Sequence, residues 1–94
     1  MADAAIQAKD IMIMNDKDNV GVCLRDLKLG DTVSIMKGNT DTKLNVSDEI
    51  PRGHKIAIVD IKTGETIIKY GEVIGKASKD IAAGTHVHVH NVVD

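Results

Sequence analysis

Apolar positions in this chain fall in short bursts, separated by clusters of Gly, Asp, Asn and Lys at intervals of roughly eight to twelve residues. That rhythm predicts many short strands and no helix longer than a turn or two. Strands are expected over 7–14, which ends Ile11-Met12-Ile13-Met14, and over 20–25, 32–36, 42–46, 54–59, 66–69 and 73–79. A last strand is expected from His86 to about Val92, where His and Val alternate. The polar run 15–19, the run Lys37-Gly38-Asn39-Thr40-Asp41 and the stretch 47–53 read as loops, and Tyr70-Gly71-Glu72 as a tight corner. Pro51 lacks an N–H and belongs in a loop or at an edge. Residues 1–6 read as a flexible tail of small residues on a single domain spanning 1–94.

One eight-residue pattern occurs three times: Asp26-Leu27-Lys28-Leu29-Gly30-Asp31-Thr32-Val33, Asp60-Ile61-Lys62-Thr63-Gly64-Glu65-Thr66-Ile67 and Asp80-Ile81-Ala82-Ala83-Gly84-Thr85-His86-Val87. Each has a physical reading. Asp bonds backbone N–H groups ahead of it and starts a turn. Ile or Leu plugs the core, Gly takes the positive φ that reverses the chain, and the final Ile or Val opens the next strand. The uneven spacing excludes a solenoid of equal repeats.

Composition sharpens this to a small all-β domain. Ile and Val far outnumber Leu, Phe and Trp are absent, and Tyr70 is the one aromatic. β-Branched residues are stiff at χ1 and fit a pleated surface. Ninety-four residues form one modest core, without room for an enclosed active site as well. Twelve Lys and Arg against 14 Asp and Glu leave no basic excess, which argues against nucleic acid as a partner. No apolar run approaches the ~18 residues of a membrane span, and the first five residues do not form a signal peptide. A single Cys, Cys23, excludes a disulfide framework; placed mid-strand, it is expected to be buried and inert. A cytoplasmic protein is the expectation.

Candidate chemistry concentrates in the histidines. On an extended strand His86, His88 and His90 share one face about 7 Å apart, while Val87 and Val89 turn to the core. His54 opens another strand. Imidazoles so spaced can share a metal ion, although a complete shell needs a further ligand. The same alternation also serves a merely solvated edge strand. Lys69-Tyr70-Gly71 can hold an anion or be a bare turn. Asp26, Asp60 and Asp80 read as turn formers, and Ser34, Ser47 and Ser78 have no nucleophile context.

From Gly53 to Asn91, about two-fifths of the chain, five blocks in order resemble a known family. They are Gly53-His54-Lys55-Ile56-Ala57, Asp60-Ile61-Lys62-Thr63-Gly64-Glu65, Ile68-Lys69-Tyr70-Gly71-Glu72-Val73-Ile74-Gly75, Asp80-Ile81-Ala82-Ala83-Gly84 and Val87-His88-Val89-His90-Asn91. The family is the SAF domain of the altronate and galactarate dehydratases, which extends to the small subunit of split sulfolactate sulfo-lyases. Residues 1–50 match only through layout and the Val20-Gly21-Val22 strand.

The resemblance implies a β-clip fold and a contribution to a metal-dependent lyase acting on a sugar acid or a related hydroxy acid. The larger catalytic part would lie elsewhere, and this chain would not be active alone. It implies His54, His88, His90 and Asn91 as contributors to catalysis, with His86 ranked lower, and Lys69 and Tyr70 toward a small acidic, sugar-like substrate. His88 and His90 are the metal-ligand candidates, for Fe²⁺, Mn²⁺ or Zn²⁺ rather than oxygen-seeking Mg²⁺. An uncovered edge strand would also allow a homodimer. The alternative is a free-standing carbohydrate- or anion-binding module.

Overall fold

The structure, a computed structural model, describes residues 10–37 and 40–94. The expected tail at 1–6, the start of the first strand and the tip of the 37–41 turn lie outside those residues. Among the described residues nine strands follow in order: β1 (Ile11–Met12), β2 (Val20–Cys23), β3 (Thr32–Lys37), β4 (Thr40–Asn45), β5 (Lys55–Ala57), β6 (Thr66–Lys69), β7 (Glu72–Ala77), β8 (His86–Val87) and β9 (Val92–Val93). All pairings are antiparallel. A four-stranded sheet runs β1-β2-β5-β8, β3 and β4 form a hairpin, and a three-stranded sheet runs β6-β7-β9. No described residue is helical. The all-β expectation holds.

The four-stranded sheet divides the core in two. On β5, Ile56 packs with Leu27, Val33, Ile35, Leu44, Val46 and Ile50. The next residue, Ala57, packs with Val20, Ile61, Ile67, Ala77, Ile81 and Val87. Strand alternation thus sends successive side chains into separate clusters, one under the β3–β4 hairpin and one under β6-β7-β9.

The recurring turn builds both halves, and it occurs four times rather than three. Glu49-Ile50-Pro51-Arg52-Gly53-His54-Lys55-Ile56 follows the same template with Glu in place of Asp. Gly30, Gly53, Gly64 and Gly84 all have φ between 87° and 94°. In each unit the Gly N–H donates to a backbone carbonyl, of Val46, Cys23, Ala77 and Ala57 respectively. The N–H of that same residue donates back to the carbonyl of the residue after the glycine. The units pair by their plugs: Leu27 bridges Ile50, and Ile61 bridges Ile81. All four plugs are at most 3% exposed, so each contributes roughly 1.5–3 kcal/mol of burial.

The aspartates act across these pairs rather than within their own turns. Asp26 accepts from the Arg52 N–H, Asp60 from Ala83 and Asp80 from Thr63, each at 2.9 Å. The Thr63 hydroxyl donates to Asp80 as well, and these bonds lower the Asp80 pKa. Within a turn the acceptor is the residue after Gly: Asp31 receives the Lys28 N–H and Glu65 the Lys62 N–H. All three aspartates are therefore staples between neighbouring turns, fixed by pairing that local sequence does not display.

The expected strand from His86 to Val92 is broken. β8 stops at Val87, residues 88–91 form a turn, and β9 pairs with β7 in the other sheet. Val87 is fully buried as expected, but Val89 is 81% exposed rather than in the core. The side chain that breaks the alternation is Asn91. Its Oδ1 accepts from the His88 N–H at 2.9 Å and its Nδ2 donates to the His86 carbonyl at 2.8 Å. Such a side-chain bond to the residue three back closes a turn that competes with an extended ladder.

Candidate functional site: a histidine cluster at a sheet edge

β8 is an edge strand of the four-stranded sheet, paired with β5 through Lys55↔Val87 and Ile56↔His86. Continuing that register one step sets His54 opposite His88. The rings follow: His54 and His88 stack with centroids 4.4 Å apart, and His54 Nδ1 lies 2.9 Å from His86 Nε2 in a hydrogen bond. His86 and His88 are parallel at 5.3 Å. The ligand atoms of His54, His86 and His88 all lie within 4.8 Å of one another, the one such group among the described residues. His90 is exposed, with its ring tilted against that of His86 at 5.3 Å between centroids.

The cluster is held by two polar side chains, the half-buried Asp48 and the buried Asn91. Asp48 accepts the His86 N–H at 3.0 Å and fixes the start of β8. Asn91, 5% exposed, ties the following turn, and its own N–H and C=O bond His88 and Ser78. Asn91 thus shapes the cluster while its amide faces the backbone. Asp48 carries no local signal in the sequence, because its partner lies 38 residues away.

Burial and neighbouring charge favour the neutral form of His86 and His88. Burial lowers the His86 pKa, and His54, His90 and His88 lower it further against a smaller opposing effect of Asp48. Desolvation also lowers His88, helped by the positive charges of His54, Lys55 and His90. Neutral imidazole is the form that binds a metal or accepts a proton.

Lys55, partly buried, flanks the histidines. Burial lowers its pKa, and the charge of Lys69 lowers it further. Lys55 and His88, with Ile74, Val89, Val92 and Asp94, line a shallow pocket of about 220 Å³. Lys69 and Tyr70 stand outside that lining. Tyr70, with φ 56°, and Gly71 form the two-residue β6–β7 turn, and the Lys69 ammonium lies 4.9 Å over the Tyr70 ring. The Gly71 N–H is already bonded to the buried Asp18 carboxylate at 2.7 Å. Lys69 therefore reaches the site as a charge, and Lys55 is the cation in contact with it. Sequence reasoning passed over Lys55, although it lies between His54 and Ile56 in a quoted block. Cys23 is 1% exposed with its thiol pushed up to about 11 by burial, inert as expected.

Paired turn units, no helix among the described residues, and imidazoles gathered at one sheet edge define the class as a small all-β SAF domain. The model of the altronate/galactarate dehydratase SAF domain matches residues 9–94, and the chain belongs to that family. It is 42% identical over 83 residues to altronate dehydratase of Bacillus subtilis, covering 88% of this chain and 16% of that protein. Against altronate dehydratase of Escherichia coli it is 47% identical over 74 residues, covering 79% of this chain and 14% of that one. The alpha subunit of (2R)-sulfolactate sulfo-lyase from Chromohalobacter salexigens is 38% identical over 86 residues, and 92% of its length is covered, with 88% of this chain. The chain therefore spans about one-sixth of the dehydratases it matches, and nearly all of a lyase subunit. No helix among the described residues is long and apolar enough to cross a membrane.

Proposed function

We propose that this chain is the SAF part of a lyase that removes a β-substituent from a sugar acid or a related hydroxy acid, working against a larger catalytic part. The observation that carries this is the double match: one domain is about one-sixth of the altronate dehydratases and nearly the whole of a sulfo-lyase alpha subunit. The reaction class needs a base at the α-carbon, charge stabilisation for the enediolate and an acid for the departing group. In this reading His90 carries protons, Lys55 holds the carboxylate with Lys69 adding charge behind it, His88 and His54 hold the divalent ion, and Asn91 positions His88. A divalent ion such as Fe²⁺ or Mn²⁺ in the assembled enzyme would stabilise the enediolate, and imidazole nitrogens suit such ions.

The exposed apolar side chains beside the pocket support a partner there. Ile74 is 38% and Val89 81% exposed, and both line the pocket with His88 and Lys55. The larger part of the lyase would cover them and close the site against water. A reduced, cytoplasmic setting fits a single buried thiol.

The test is reconstitution. The chain is co-expressed with a family catalytic part, and rate and metal content are measured for His88→Ala and His90→Ala. His90→Ala is expected to cost about 10²–10⁴-fold in turnover with metal content unchanged. Wild-type rates in both variants would remove the histidines from the reaction. Failure of any family catalytic part to bind would favour a free-standing anion-binding module.

A further inference from the structure

We infer that His54, His86 and His88 form a transition-metal site complete on this chain, one that needs no ligand from a partner. The set differs from a pair along one strand: it joins the end of the β4–β5 connection to β8 and the turn after it. Two observations carry it. The three donor atoms already lie within 4.8 Å of one another, and the His54 Nδ1 to His86 Nε2 distance is 2.9 Å. Imidazole nitrogens on a tetrahedral ion with bonds of about 2.0–2.1 Å sit roughly 3.3 Å apart. The pair therefore has to open by a few tenths of an ångström and the third ring to close by at most about 1.5 Å, within the reach of χ rotations.

The backbone beneath these rings is fixed, which keeps the adjustment confined to side chains. Asp48 holds His86, Asn91 holds His88, and the His54 N–H donates to the Pro51 carbonyl inside its turn. All three rings are half-buried, so an ion reaches them from solvent without unfolding. Three imidazoles leave at least one coordination position open, as in catalytic rather than structural sites. His88 also lines the Lys55 pocket, so that position opens toward a place where a small anion can sit. An all-nitrogen donor set selects Zn²⁺, Co²⁺ or Fe²⁺ over Mg²⁺ and Ca²⁺. His90, exposed and outside the group of three donors, is not a ligand in this arrangement.

This site does not depend on the lyase reading, because it is tested on the 94-residue chain alone. The metal-free chain is titrated with Co²⁺ and Zn²⁺, following visible d–d bands and imidazole NMR signals. One ion per chain is expected, with no displacement by excess Mg²⁺, and added azide should shift the Co²⁺ bands through the open position. His54→Ala, His86→Ala and His88→Ala should each weaken binding by about 100-fold or more, while His90→Ala leaves it unchanged. If His86→Ala disturbs the amide fingerprint spectrum, His88→Gln on the half-exposed turn decides in its place. Absence of a one-to-one complex, binding that survives loss of His86 or His88, or binding lost with His90 and kept without His54 would each overturn the assignment. Loss of partner assembly with metal binding intact would count against the lyase reading alone.

Discussion

Asn91→Ala separates a buried organiser from a turn residue of no consequence. The wild-type amide makes two bonds to backbone, 2.9 Å to the His88 N–H and 2.8 Å to the His86 carbonyl, in a side chain only 5% exposed. Alanine removes both while the backbone bonds of residue 91 itself, to His88 and Ser78, remain available. Each net hydrogen bond contributes about 1 kcal/mol, and a partner stranded away from water costs about 1–3 kcal/mol. Two part-buried partners give a loss of about 2–4 kcal/mol, a large share of the roughly 5–15 kcal/mol available to a small domain. Equilibrium urea unfolding measures it. With a slope near 1 kcal/mol per molar for a small chain, the midpoint should fall by about 2 M or more with the slope unchanged. Hydrogen exchange at the His88 amide should accelerate in parallel, because its acceptor is gone. A loss under about 0.5 kcal/mol, the size of an ordinary surface substitution, would refute the reasoning.

The four turn glycines should not respond alike to alanine. At Gly64 a Cβ meets nothing within 4 Å, so only the positive φ is strained, at about 1–2 kcal/mol; at Gly84 the same Cβ also overlaps the Asn45 carbonyl oxygen. Thermal melts should place Gly84→Ala well below Gly64→Ala, and equal melting temperatures would contradict the packing described. Acidity should weaken the metal-free protein. His86 and His88 titrate below the ordinary histidine value when folded, so the unfolded chain binds more protons just below about pH 6.5. Their contribution is full above that value and is lost as pH falls through the lower folded values. The urea midpoint should drop between about pH 7.5 and about 5.5, less steeply in a His86→Gln, His88→Gln variant. A midpoint that rises on acidification would reverse the sign of the argument.

Much of this fold is local and therefore legible. Ile and Val bursts, Gly at the fourth position after Asp, and alternation within six-residue stretches are short-range signals, and they mark the strands and three of the four turns. The fourth, at Glu49–Ile56, stayed hidden because Glu stands for Asp and Pro51 suggested a plain loop. Which turns pair, and so where Asp26, Asp60 and Asp80 send their carboxylates, depends on bridges between residues about 20 apart, such as Ile61 and Ile81. At the site, the sequence by itself supplied the four histidines, and the resemblance pointed to a role for them. Their grouping is tertiary. A His-Val alternation reads as a strand, and only the Asn91 amide, with β9 drawn to β7 in another sheet, turns the chain at 88–91 and exposes Val89. His54 and His86, 32 residues apart, meet because antiparallel pairing fixes a register across β5 and β8. Pattern records which side of a strand a residue occupies; register across strands, set by cooperative packing of the two clusters, decides what it touches.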